Sequence, residues 1–145
     1  MGIYSPILLN KTPTKTITFT GASGLGLAGT NVVLFVVTGL ITVVKIVVRC
    51  TTNLGEAAPT ATVSLGTVAT PALFIAATNS VDIDANDVWT ALAPTTRSIV
   101  IPAAMKDTLV NGENIIIACA AQNTNAGVLD IVLTYQPETE GAMVV

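Results

Sequence analysis

The pattern of hydrophobic and polar positions is organised around residues 29–50, GTNVVLFVVTGLITVVKIVVRC. Two β-branched runs, Thr30–Val37 and Leu40–Cys50, flank Thr38-Gly39. Valine and isoleucine are restricted at χ1 and suit a pleated, half-buried surface, so both runs predict strands. The short glycine turn between them predicts a β-hairpin. In the second run Thr42, Val44, Ile46, Val48 and Cys50 share one side at period two, which predicts the core face. Ile41, Val43, Lys45, Val47 and Arg49 share the other, amphipathic side. The first run is apolar on both sides, Val32, Leu34 and Val36 against Val33, Phe35 and Val37. Such a strand is central between layers or covered on its second side by another subunit.

The same stretch has nearly the length of a membrane-spanning helix. Lys45 and Thr38-Gly39-Leu40 interrupt it, no aromatic belt flanks it, and a period of two has no meaning in a helix. No membrane association is expected.

Outside this centre, Met1–Pro13 carries Pro6 and Pro13 with little alternation and reads as an extended arm. Its Ile3, Tyr4, Ile7, Leu8 and Leu9 are costly to leave in water, so packing on its own domain or on a neighbour is expected. Lys15–Thr20 predicts a half-buried strand with Ile17 and Phe19 inward. Gly21–Gly29 reads as a flexible inter-strand loop, and Thr51–Pro59 as another. Thr60–Gly66 predicts a strand with Ala61, Val63 and Leu65 on one face, and Pro71–Thr78 a short strand. Asn79–Trp89 reads as an acidic loop, Arg97–Pro102 as a short strand, and Ala103–Asn111 as one helical turn ahead of an Asn111-Gly112 turn. Glu113–Gln122 and Gly127–Gln136 predict two closing strands, the second with Leu129, Ile131, Leu133 and Tyr135 on one face. Eight or so short strands with frequent turns predict an all-β fold: an antiparallel β-sandwich of the jelly-roll kind. The expected division is an arm at 1–13, a sandwich at 14–137 and a C-terminal tail at 138–145.

Composition sharpens this picture. Of 145 residues, 51% are hydrophobic and 10% charged, against about a quarter charged in an ordinary soluble domain. A surface so short of charge predicts extensive burial against other subunits, hence a homo-oligomer. The net charge of −3 is unevenly placed. Lys11, Lys15, Lys45 and Arg49 occur before any acid, and every acid follows from Glu56 onward. Four scattered cations are too few for nucleic-acid binding, but a basic first third could dock on an acidic protein surface or simply be solvated. Cys50 and Cys119 fall in predicted strands and read as buried free thiols. No signal-peptide pattern opens the chain, which favours synthesis inside the cell with reduced thiols.

Candidate chemistry is sparse. Gly21–Gly26 looks like a dinucleotide-binding phosphate loop, but a strand pattern follows it where that motif needs a helix. Histidine is absent, which removes the commonest base and metal ligand. Two cysteines without histidine do not make a zinc site. Asp82, Asp84, Asn86 and Asp87 have the alternation of a calcium loop, yet Asp87 stands where glycine is needed and Ala93 where glutamate is needed. Glu113 and Asp130 are candidates to meet across a hairpin, with no pocket marked around them. No enzyme activity and no cofactor or metal are expected.

Taken in order, the hydrophobic centre, VVRCTTNLGEAAPTATVSLGT, FIAATNSVDIDANDVW and the closing ENIIIACAAQNTNAGVLDIVLTYQPE cover about two thirds of the chain. Together they resemble a family of small virion proteins of tailed bacteriophages. The resemblance implies a capsid decoration (cement) protein, a β-rich trimer seated between major capsid proteins on the outer capsid surface and assembled in the host cytoplasm. It supplies no catalytic residues. With the resemblance in hand, trimer contacts are expected at Val33, Phe35 and Val37, and capsid contacts at Tyr4, Leu8, Lys11 and Lys15. Two other readings stay open: another virion component (head-fibre base, tail or baseplate), or a carbohydrate- or receptor-binding sandwich. Against the latter, few polar-tipped aromatics are present.

Overall fold

A computed structural model describes residues 9–56, 58, 60–90, 93–96 and 101–145. Ten strands are named within them: β1 Thr14–Thr18, β2 Asn31–Phe35, β3 Val37–Thr38, β4 Leu40–Glu56, β5 Thr62–Thr67, β6 Ile75–Asn79, β7 Thr108–Asn111, β8 Ile115–Ala120, β9 Thr124–Pro137 and β10 Met143–Val144. One sheet has the order β1-β9-β4-β7 and the other β2-β8-β5-β6, and β10 pairs with β3. All these pairings are antiparallel. Leaving β3 and β10 aside, the first strand pairs with the last, the second with the next to last, and so inward to β5 with β6. That nesting is the jelly roll, and the all-β antiparallel sandwich expected from the sequence is the observed fold.

The core lies between the inner faces. Ile17, Leu129, Ile131, Leu133, Ile46, Val48 and Cys50 come from the first sheet; Val32, Phe35, Ile115, Ile117, Cys119, Val63 and Leu65 come from the second. Apart from Phe35, which follows a register shift in β2, each set follows from period-two alternation along its strand. Trp89 is fully buried, and its Nε1 donates to Thr78 Oγ1 at 3.0 Å. A buried indole needs such an acceptor.

Several expectations are corrected. The two runs around Thr38-Gly39 do not form a hairpin. β2 pairs with β8, and β4 with β9 and β7. The chain instead crosses between sheets there, as most successive strands of a jelly roll do. The predicted faces of β4 are also displaced. Ile41 and Val43 are buried, and so are Ile46, Val48 and Cys50. Between Val43 and Lys45 the register slips by one residue against β9, so Val44 is a bulge that reverses the phase. A second register shift, between Val33 and Phe35, puts both Leu34 and Phe35 inside. This is why the run looked apolar on both sides.

β4 continues through the predicted loop at Thr51 to Glu56, because β9 is long enough to pair with it there. The helical turn of Ala103–Asn111 is confined to a 3₁₀ turn at Ala103–Met105, and β7 follows it. Much of the strand expected at Arg97–Pro102 lies outside the described residues. Glu113 and Asp130 do not pair; Asp130 stands opposite Arg49 and Thr16. No strand-to-helix turn follows the glycine loop. Thr20 and Gly21 N–H both donate to Leu25 O, and the chain enters β2.

The outer face of the second sheet is partly roofed. Gly66 faces Ile116 across the ladder, and a Cβ on Gly66 would overlap the Thr70 and Pro71 backbone. Only glycine lets that loop lie on the sheet. Ser64 Oγ donates to Pro71 O at 3.0 Å, and Ile116 is fully buried although it points away from the central core.

Candidate interaction surface

Outward-facing apolar side chains concentrate where β2 passes into β3 and the C-terminus returns. Val36 and Val145 exchange backbone hydrogen bonds of 2.7 and 3.1 Å. Next along the ladder, Val37 pairs with Val144, and Thr38 with Met143. Alternation turns Val37 and Val144 inward and leaves Val36, Met143 and Val145 outward at 44%, 46% and 68% exposure. Val33, on the outer face of β2, is 43% exposed. Tyr135 fixes the returning tail, because Val144 N–H donates to its hydroxyl at 3.2 Å. The sequence showed an apolar end to residues 138–145. A two-residue strand has too little pattern to reveal where that end would pair.

Of the residues expected at a subunit contact, only Val33 is available at the surface. Phe35 and Val37 are 1% and 4% exposed and belong to the core. The bulge at Leu34 and the crossover into β3 turn them inward. Tyr4 and Leu8 lie outside the described residues. Lys11 and Lys15 are exposed. Lys11 exchanges backbone hydrogen bonds with Tyr135, so the ladder of β1 along β9 begins within the segment expected to be an arm.

The outer face of the first sheet is rich in threonine and valine. Its clearest polar row is Thr16–Asp130–Arg49, in which Thr16 Oγ1 donates to Asp130 Oδ1 at 2.6 Å. The acidic loop packs alongside β4: Cys50 N–H donates to Asp87 O, Asn86 N–H to Cys50 O and Leu54 N–H to Ile83 O. Within it Asp87 Oδ2 accepts from Asp84 N–H, and Asn53 Oδ1 of β4 accepts from Ala85 N–H. The Asp87 carboxylate and the Asn53 amide thus hold the loop's backbone. Among the described residues no three of His, Cys, Asp and Glu are grouped to hold a metal, and no helix is long and apolar enough to cross a membrane.

Both thiols are free and buried, as the strand pattern predicted. Burial pushes Cys119 up to about 11, and burial, foremost, also raises Cys50. A raised thiol stays protonated in the fold while the unfolded chain loses its proton near the ordinary value of 9.0. The contribution of Cys119 to stability is therefore fully present below about pH 9 and is lost as pH rises toward 11. Neither cysteine should react with an aromatic disulfide reagent at neutral pH until denaturant is added. Stoichiometric labelling of the native protein within minutes would contradict the buried placement.

No protein-family model matches the chain, and no curated protein sequence matches it. Among solved structures, the cyanophage Pam1 capsid asymmetric unit is similar at 13% identity and a TM-score of 0.43, over 88% of this chain and 84% of that chain.

Proposed function

We propose that this chain is a non-enzymatic structural protein of a tailed-phage virion. In this reading it is a cement protein that binds the outside of the assembled capsid as a trimer and bridges major capsid proteins. The observation that carries the reading is the outward patch of Val33, Val36, Met143 and Val145 on a sandwich with few charges to solvate it. Apolar side chains gathered at one end of a charge-poor domain favour burial against another protein. The ordered likeness of Lys45–Trp89 and Glu113–Glu138 to phage virion proteins supplies the kind of assembly.

A cement protein acts by mass action. It binds the assembled shell better than free shell subunits, and many modest contacts sum over a lattice. The subunit contact rests on Val33 and Val36 with the C-terminal residues. The shell contact rests on the arm, including Tyr4 and Leu8, together with Lys11 and Lys15. Deleting Met1–Asn10 is expected to abolish cosedimentation with shells that lack this protein, with the β-sheet circular dichroism unchanged. Unchanged shell occupancy would remove the arm from the contact. Light scattering should give three times the 14.8 kDa protomer mass. The double change Val36→Lys and Val145→Lys should lower that mass to one protomer, since an exposed substitution perturbs the fold by only about 0.5 kcal/mol. A monomeric parent protein would overturn the trimer in solution.

A further inference from the structure

β1 is an edge strand, and among the described residues its outer edge is open. The register with β9 is uniform from Lys11↔Tyr135 through Thr14↔Val132 and Thr18↔Val128. Lys11 exchanges hydrogen bonds with Tyr135, Leu133 N–H donates to Pro13 O, and Phe19 N–H donates to Gly127 O. Odd-numbered residues thus bond to β9, and the N–H and C=O of Thr12, Thr14, Thr16 and Thr18 point away from the sheet. Among the described residues no backbone group pairs with them. Pro13 does not blunt this edge, because its missing N–H is on the β9 side.

Such an edge is a template for another strand. Its charge selects which one. Lys11 and Lys15 lie on the same side of β1, four positions apart, exposed and without a carboxylate partner among the described residues. Ile17, next on that side, is buried. A second copy of β1 laid antiparallel here would bring lysines of both copies together, which disfavours self-pairing.

We propose that the free edge of β1 is a strand-addition site for an extended acidic segment of a different polypeptide. The segment carries carboxylates four residues apart on the side facing Lys11 and Lys15, and an apolar residue opposite Ile17. Backbone pairing with Thr12, Thr14, Thr16 and Thr18 supplies register-tolerant affinity, and the two lysines supply selectivity. The site stands on the geometry of β1 alone and is independent of the virion reading.

The test uses the full chain and the synthetic peptide Ile-Thr-Glu-Thr-Val-Thr-Glu, with a control peptide in which lysine replaces both glutamates. Amide hydrogen exchange is followed by NMR. In the free protein the Lys15, Ile17 and Phe19 amides are expected to be protected, and those of Thr12, Thr14, Thr16 and Thr18 to exchange quickly. At ten times its Kd the acidic peptide should slow the threonine amides about tenfold. The lysine peptide should not. Thr14→Pro, which removes an outward N–H at a position an edge strand tolerates, should abolish the effect. Lys11→Glu with Lys15→Glu should transfer the preference to the lysine peptide. Threonine amides already protected in the free chain, no slowing at millimolar acidic peptide, or equal slowing by both peptides would each overturn the proposal.

Discussion

Replacing Trp89 with alanine is expected to lower the unfolding free energy by about 3–5 kcal/mol, the range for emptying a buried large aromatic site. Trp89 is fully buried, and its indole N–H is bonded to Thr78 Oγ1. It also sits at the end of the acidic loop: its N–H donates to Val48 O, and Val88 stands opposite Arg49. Removing the ring takes away the filling of the core and the indole bond to Thr78, while the backbone bonds that hold residues 80–89 along β4 remain. Domains of this kind are stable by about 5–15 kcal/mol, so the loss is a large share of the total. Chemical denaturation checks it. Trp89→Phe, which keeps most of the apolar volume and loses the N–H, should cost less than half as much. A loss below about 1 kcal/mol for the alanine change would mean that the ring does not fill the core as described.

Gly26→Ala should rank next, at about 3 kcal/mol, from backbone strain of ~1–3 kcal/mol together with overpacking of similar size. Gly26 has φ +113°, which residues with a side chain rarely adopt. A Cβ there would also overlap the Thr124 carbonyl oxygen and lie 3.1 Å from Phe19 Cδ1. Thr124 N–H donates to Gly26 O, so this glycine is where the 21–29 loop docks on the start of β9. Gly29 is the control. It too has positive φ, +78°, but nothing lies within 4 Å of a Cβ built on it. Gly29→Ala should show the left-handed penalty alone, about 1–2 kcal/mol. Equal losses at the two positions would show that the close approach of the Thr124 carbonyl adds nothing.

Much of this fold was legible because its strands are long in β-branched residues and its last strand keeps strict alternation. Leu129, Ile131, Leu133 and Tyr135 are all buried, as their spacing required. So are Ile17 and Phe19, and Ala61, Val63 and Leu65. What failed was pairing. A jelly roll sends most consecutive strands to opposite sheets, and the local signal of Thr38-Gly39 between valine runs is the same for a crossover as for a hairpin. Bulges at Val44 and around Leu34 then moved side chains to the other face, which composition alone does not mark. The expected contact trio lost Phe35 and Val37 to the core for that reason. The exposed partners Val36, Met143 and Val145 come together through a β3–β10 ladder too short to have a sequence pattern. Lys11 and Lys15 were visible as basic residues ahead of any acid. Their place on an edge strand needed the register with β9.

The most direct measurement mixes the purified chain with assembled phage shells that lack it and, separately, with the same shell subunits dissociated. Sedimentation then counts what is bound. A cement protein should saturate the assembled shells in a fixed ratio to the major capsid protein and leave the free subunits unbound. A chain that stays in the supernatant with assembled shells, or binds dissociated subunits equally well, would contradict the proposed role.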